Sequence, residues 1–171
     1  AITSVEAERM INEKLAKLEA IGALLKNPAD IVAAVQKLVD QTNAQGKELE
    51  KLAKEKVKGL AASLPAQAKA SGKGGRLLVQ QLDLDAQGLK DLGLQLRDQH
   101  ADLAFVAGSV VDGKPQLVTN AASGLKAVDI IKQIGPEIKG GGGGQPDLAT
   151  AGGKEPGGMP NALKKAAELL S

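Results

Sequence analysis

The chain of 171 residues carries 22 Lys and Arg against 20 Asp and Glu, with 43% hydrophobic residues, a globular composition with room for one ordinary domain and a smaller piece. Phe105 is the sole aromatic residue, which excludes recognition by stacked Phe, Tyr or Trp rings, and with no Cys and only His100 the thiolate-zinc, two-histidine and cysteine-nucleophile chemistries drop out. No apolar stretch reaches the roughly 20 residues of a spanning helix, so no membrane partner is expected, and the lack of Cys and of a signal pattern fits a cytoplasmic chain.

The first two predicted elements are helices. Thr3 and Glu6 have the form of a capping box, and Ile11, Leu15, Leu18, Gly22 and Leu25 recur at spacings of four and three along one face. Helix one is expected over residues 4–26. Asn27-Pro28-Ala29-Asp30 then reads as a restart, with Asn27 as N-cap, Pro28 at the first helical position and Asp30 at the positive end of the dipole. Helix two carries Ile31, Val35, Leu38, Leu49, Leu52, Leu60 and Leu64 over about 35 residues, or about 55 Å. Thr42 and Gln45 interrupt its apolar pattern and Gly46 weakens it. Folded back as a hairpin, two helices this long bury only part of their apolar seam, so a partner chain or another domain is expected to cover the rest.

Only Gly22, Gly46 and Gly59 fall in residues 1–71, whereas residues 72–171 hold the other 18 of 21 glycines. Leu64-Pro65 stops a helix and Ala70-Ser71-Gly72-Lys73-Gly74-Gly75 reads as a connector, which divides the chain into a helical hairpin (1–71) and a globular α/β domain (72–171). In the second part, Arg76–Leu82 is a predicted strand and Asp85 caps a helix bearing Leu89, Leu92 and Leu96. Leu103–Val111 and Pro115–Thr119 flank Asp112-Gly113, a strong hairpin signal. Ser123 is read as the cap of a helix with Val128, Ile131 and Ile134, closed by Gly135-Pro136, and a last helix spans about 160–170. The expected domain is a small mixed sheet, βαββα, then a glycine loop, then α.

The glycine segment Gly140-Gly141-Gly142-Gly143-Gly144-Gln145-Pro146-Asp147, with Ala151-Gly152-Gly153-Lys154 after it, is the most informative stretch. Consecutive glycines let backbone N–H groups converge and let a phosphate or ribose approach the main chain, with Lys139 and Lys154 adding charge. The same composition also serves as a flexible linker. No Gly-Lys-Ser/Thr follows, and the run succeeds a helix instead of a strand, so neither a Walker A loop nor a dinucleotide fingerprint is present. His100, beside Asp98 and Asp102, has no second histidine to make a metal or acid–base site and reads as a helix-end residue. The run from Lys47 to Lys56 alternates in sign and reads as a solvated helix face. Residues 1–71 hold 11 basic and 9 acidic side chains and residues 72–171 hold 11 of each, so polyanion binding has to come from a local patch. Lys73, Arg76, Lys126, Lys132, Lys139 and Lys154 are the candidates.

Taken in order, a long helical hairpin, a compact α/β domain, a glycine run, Pro-Asp and Ala-Gly-Gly resemble the C-terminal region of the bacterial alanyl-tRNA synthetase family, whose globular half is the DHHA1 domain shared with DHH phosphoesterases. The resemblance covers the whole chain and rests on Val128-Asp129-Ile130-Ile131-Lys132-Gln133-Ile134-Gly135 and on Gly142-Gly143-Gly144-Gln145-Pro146-Asp147-Leu148-Ala149-Thr150-Ala151-Gly152-Gly153. It implies a homodimer through the hairpin, contact with the other domains of a parent synthetase, and a tRNA partner. The tRNA-binding residues it implies are Lys139, Gly140, Gly141, Gly142, Gly143, Gly144, Gln145, Pro146, Asp147, Gly152, Gly153 and Lys154. Where the family commonly carries basic side chains, this chain has Gly141 and Gln145, which removes two phosphate-pairing groups from the loop.

The resemblance also implies that this chain is a non-catalytic segment of a longer ligase, a reading that the initial Ala1 fits. ATP, Mg and Zn, which the parent enzyme is implied to use, have no expected place in this segment, where no catalytic or metal-binding residue is assigned. Two rival functions are the RNA-binding half of a DHH-type phosphoesterase and a bare oligomerisation module tethered by the glycines.

Overall fold

The computed structural model describes residues 4–72, 75–122 and 124–171, and the chain divides into two compact units, Ala1–Lys51 and Leu52–Ser171. The expectations placed on Thr3, Lys73, Gly74 and Ser123 lie outside the described residues.

The first unit holds α1 (Ser4–Leu24) and the start of α2 (Ile31–Ser63). Lys26 and Asn27 both adopt left-handed φ (63° and 52°), and the Asn27 N–H returns to the Gly22 carbonyl at 2.6 Å, which closes α1. Asn27 therefore ends one helix and does not cap the next. Asp30 caps α2, its Oδ1 accepting the Ala33 N–H at 2.9 Å, because Pro28 sits in the turn before the helix and not at its first position. The helix runs unbroken past Thr42, whose hydroxyl donates to the Leu38 carbonyl at 2.9 Å. Gly22, packed against Ile31 and Asn27, is the buried residue of α1, while Ile11, Leu15, Leu18, Leu38 and Leu49 stay 49–67% exposed.

The second unit begins at Leu52 and not at residue 72, because Val57, Ala61 and Leu64, at the end of α2 and the following 3-10 turn, lie in its core. A six-stranded sheet runs in the order β1 (Lys69–Ala70), β2 (Arg76–Gln81), β3 (Leu103–Val111), β4 (Lys114–Asn120), β6 (Leu148–Gly152), β5 (Gly141–Gly144). Among the described residues only β2 and β3 pair in parallel, and α3 (Ala86–Gln99) makes the crossover between them. Asp85 caps α3 as expected, accepting the Gly88 N–H at 2.7 Å. The β3–β4 hairpin turns at Asp112-Gly113, with φ of 51° and 71°, the mirror-image turn that matches strand twist.

Alternation along the strands loads both faces of the sheet. Ala104, Val106, Leu117, Ala149 and Ala151 point to one side, where α4 (Ala127–Ile134) and α5 (Met159–Leu170) cover them. Leu78, Phe105, Ala107, Val118 and Leu148 point to the other, under α3 and the end of α2. Gly93 brings α3 close to that face, and the Asn120 amide donates to the Gly93 carbonyl at 2.6 Å from a buried position. Lys126, without a side-chain hydrogen bond, occupies the cap position of α4.

The expected glycine loop is instead an edge strand. Gly141–Gly144 pair antiparallel with Ala149–Gly152, and Pro146-Asp147 form the two-residue turn, closed by the Gln145 N–H on the Leu148 carbonyl at 2.8 Å. Glycine has low strand propensity, and this segment becomes a strand only because β6 offers it a ladder.

Candidate nucleic-acid interface

The glycines of β5 and its neighbours Gly140 and Gly152 divide into two sets with different reasons to be glycine. A Cβ on Gly140 would lie against the Gly152 carbonyl oxygen and 2.7 Å from Gly153 Cα; one on Gly142 would lie against the Thr150 carbonyl oxygen and 2.6 Å from Ala151 Cβ. Gly144 is equally close to Ala149 Cα, at 2.7 Å. These three allow β5 to roll tightly onto β6. Gly141 and Gly143 are not required in this way, since a Cβ there would meet nothing within 4 Å, and the same holds for Gly152.

Register places the free set together. Gly141 pairs with Gly152, which pairs with Gln116; Gly143 pairs with Thr150, which pairs with Val118. Val118 is buried under α3, so this row shares the α3 side of the sheet; α3 covers Leu148 at the start of β6 but leaves Thr150, Gly152 and β5 exposed. What remains uncovered is a strip of bare peptide groups at Gly141, Gly143 and Gly152, flanked by the exposed Thr150 and half-buried Gln116. A groove of about 370 Å³ adjoins it, lined by Gln87 and Lys90 of α3 and by Gln116, Thr150 and Gly152. Lys90 is exposed and enters no ion pair among the described residues.

The remaining residues expected at the site are dispersed in role. Gly153 is a packing position, its Cβ site 2.7 Å from Ile138 Cγ1, with its N–H on the Pro115 carbonyl at 2.9 Å. Lys139, left-handed at φ 48°, ends the 3-10 turn before the strand, and its ammonium sits 3.3 Å from Glu155. Lys154 is exposed and has no ion pair among the described residues. Gln145 is exposed, and Asp147 pairs with Arg97 at 3.0 Å. The Pro146 and Asp147 carbonyls accept the Ala127 and Ala121 N–H groups at 2.7 and 3.2 Å, which pins the turn to the β4–α4 connection.

Of the wider basic candidates, Arg76 is committed elsewhere. Its guanidinium holds Asp102 through Nε at 2.8 Å and Nη2 at 3.1 Å, and Nη2 lies 3.4 Å from His100 Nδ1, at the C-terminal end of α3. His100, Asp98 and Asp102 are thus tied into arginine pairs at a helix end, and among the described residues no three His, Cys, Asp or Glu side chains gather to hold a metal. The hydrogen bond from Arg76 holds the Asp102 carboxyl below its ordinary range. A depressed folded-state value makes the pair's contribution to stability complete above the unfolded value, near pH 4, and lost as pH falls through the folded one. An NMR titration is expected to show the Asp102 carboxyl titrating below the ordinary carboxylate range, and Arg76→Gln is expected to return it to that range.

Lys90 and Gln116 escaped sequence inspection because their proximity to the glycines depends on α3 docking and on the β4–β6 register, neither of which is local. Among the described residues no helix is long and apolar enough to cross a membrane.

Comparison with known proteins places these features in a family. The DHHA1 domain model matches residues 74–171. The alanine–tRNA ligase of Christiangramia forsetii is 38% identical over 176 residues, covering 99% of this chain and 20% of the relative. That of Thiobacillus denitrificans is 34% identical over 169 residues, covering 95% of this chain and 19% of the relative. The chain thus spans about one fifth of the length of these ligases. The crystal structure of the C-Ala domain from Aquifex aeolicus alanyl-tRNA synthetase superposes with a TM-score of 0.53 at 28% identity, covering 60% of this chain and 99% of that one. The mixed-sheet α/β fold matches that of the C-Ala domain, and the chain belongs to the DHHA1 domain family.

Proposed function

We propose that this chain is the C-terminal segment of a cytoplasmic alanine–tRNA ligase, that its sheet unit binds tRNA on the bare face of β5 and β6, and that its helical unit self-associates. In that role it would keep one tRNA within reach of both the aminoacylation and the editing sites of the parent enzyme. The observation that carries the tRNA assignment is the excess of glycine. Packing demands Gly140, Gly142 and Gly144 but leaves Gly141, Gly143 and Gly152 without a structural reason to lack side chains. An external group that must approach the peptide backbone closely supplies one, and a nucleic-acid backbone or base face fits a strip with no bulk and few charges. Among the described residues, Lys90 and Lys154 are cations without an ion pair at and near this strip.

Titrating fluorescently labelled tRNA with the chain tests the proposal. Saturable binding that exceeds binding to an unstructured RNA of equal length is expected, weakening with salt; equal affinity for both RNAs would contradict it. Lys154→Ala is expected to lower the salt slope by about one, and Lys139→Ala by less, because Glu155 already opposes that charge.

Self-association rests on the apolar residues that α1 and the first part of α2 leave in water, Ile11, Leu15, Leu18, Val35 and Leu38 being 42–57% exposed. Sedimentation equilibrium is expected to give a dimer at high concentration and a monomer for Leu15→Glu/Leu18→Glu, with helical content retained. A wild-type chain that stays monomeric at the highest concentrations would rule this out.

A further inference from the structure

Asp147 is out of place on a surface that receives RNA, and its surroundings account for it. The residue forms the tip of the β5–β6 turn, and its carboxylate, half exposed, reaches back to Arg97 in the last turn of α3, with Oδ2 3.0 Å from Nη1. Because α3 packs on the same side of the sheet as Gly143 and Thr150, this carboxylate is directed to the side on which the bare strip lies. Arg97 also holds Asp98, through Nη2 at 2.7 Å and Nε at 2.9 Å, so two carboxylates share one guanidinium.

The ion pair is not needed to shape the turn. The turn is already fixed by the Ala127 N–H on the Pro146 carbonyl and the Ala121 N–H on the Asp147 carbonyl, and closed by Gln145 on Leu148. Exposed ion pairs of this kind add little to stability. What the pair changes is charge, since without Arg97 the group of Asp98, Arg97 and Asp147 goes from one net negative charge to two, at the margin of a surface meant for a polyanion.

We infer that Arg97 is a positioning residue for tRNA binding, which holds the Asp147 carboxylate against α3 and offsets its charge so that RNA can approach the β5–β6 hairpin. The inference rests on the tRNA reading proposed above, and it makes Asp147 a group to be masked and not a ligand.

The test is a set of labelled-tRNA titrations on the full chain, comparing wild type, Arg97→Ala, Asp147→Asn and the double variant. Amide hydrogen exchange at Ala121 and Ala127 reports whether the turn is intact in each. Arg97→Ala is expected to weaken binding about tenfold, Asp147→Asn to leave it unchanged or slightly tighter, and the double variant to return to within about twofold of Asp147→Asn, all with the two amides still protected. Rescue by Asp147→Asn is the decisive result, because neither a direct Arg97–phosphate contact nor a purely structural arginine would be restored by neutralising the carboxylate. A double variant as weak as Arg97→Ala, a loss of affinity in Asp147→Asn alone, or loss of amide protection in Arg97→Ala would each overturn the inference while leaving tRNA binding standing. A wild-type chain that does not bind tRNA would overturn both.

Discussion

Gly142→Ala is expected to destabilise the sheet unit by about 2–3 kcal/mol, while Gly143→Ala, one residue along the same strand, is expected to cost a few tenths at most. The two positions share composition, exposure and neighbours in sequence, and differ only in where a methyl group would go. At Gly142 it would collide with the Thr150 carbonyl and with Ala151 Cβ, both on β6, and relief would require β5 to move off the ladder that makes it a strand. At Gly143 it would stand in open space. Thermal unfolding followed by circular dichroism distinguishes them, with a fall of several degrees expected for Gly142→Ala alone. Equal melting temperatures would mean that β5 is not seated on β6 as described.

Gly143→Val is expected to show the opposite division between stability and function. A Cβ at Gly143 meets nothing within 4 Å and a branched side chain suits an extended backbone, so the melting temperature should hold within a degree or two. On the bare strip it would place three carbons between Thr150 and solvent, in the space through which RNA would reach the peptide groups of Gly141 and Gly143. Affinity for labelled tRNA is expected to fall about tenfold or more, because a rigid obstacle at a close backbone approach removes several contacts together. Gly141→Val should behave similarly, whereas Lys132→Ala on α4, the helix that covers the other side of the sheet, should leave affinity unchanged. A Gly143→Val chain with full affinity would mean that RNA, if bound, lies elsewhere.

Features set by short-range chemistry were legible in the sequence. Asp112-Gly113 announced its hairpin, Asp85 its cap, and the spacing of Leu89, Leu92 and Leu96 the buried face of α3. Where two local signals competed, the expectation missed: Pro28 after Asn27 suggested a cap, but the chain used Asn27 in a left-handed closure of α1 and left capping to Asp30. The extent of the globular unit was hidden because Leu64 reads as helix seam and Val57 and Ala61 carry no local signal of their own, and only the sheet they cover reveals all three as core. The glycine segment was legible as special but not as a strand, since nothing in five consecutive glycines distinguishes Gly142, which the fold requires, from Gly143, which it does not. That distinction exists only once β6 lies alongside, and it is what separates packing from binding.

The most direct measurement is a backbone amide NMR map of the chain with and without tRNA. Binding at the bare glycine strip predicts the largest perturbations at Gly141, Gly143, Thr150 and Gly152, smaller ones at Gln116 and Lys90, and none on the opposite face at Ile130 or Ala162. Saturable binding whose perturbations avoid Gly141–Gly144 and cluster on the α4–α5 side, or no perturbation at any tRNA concentration, would contradict it.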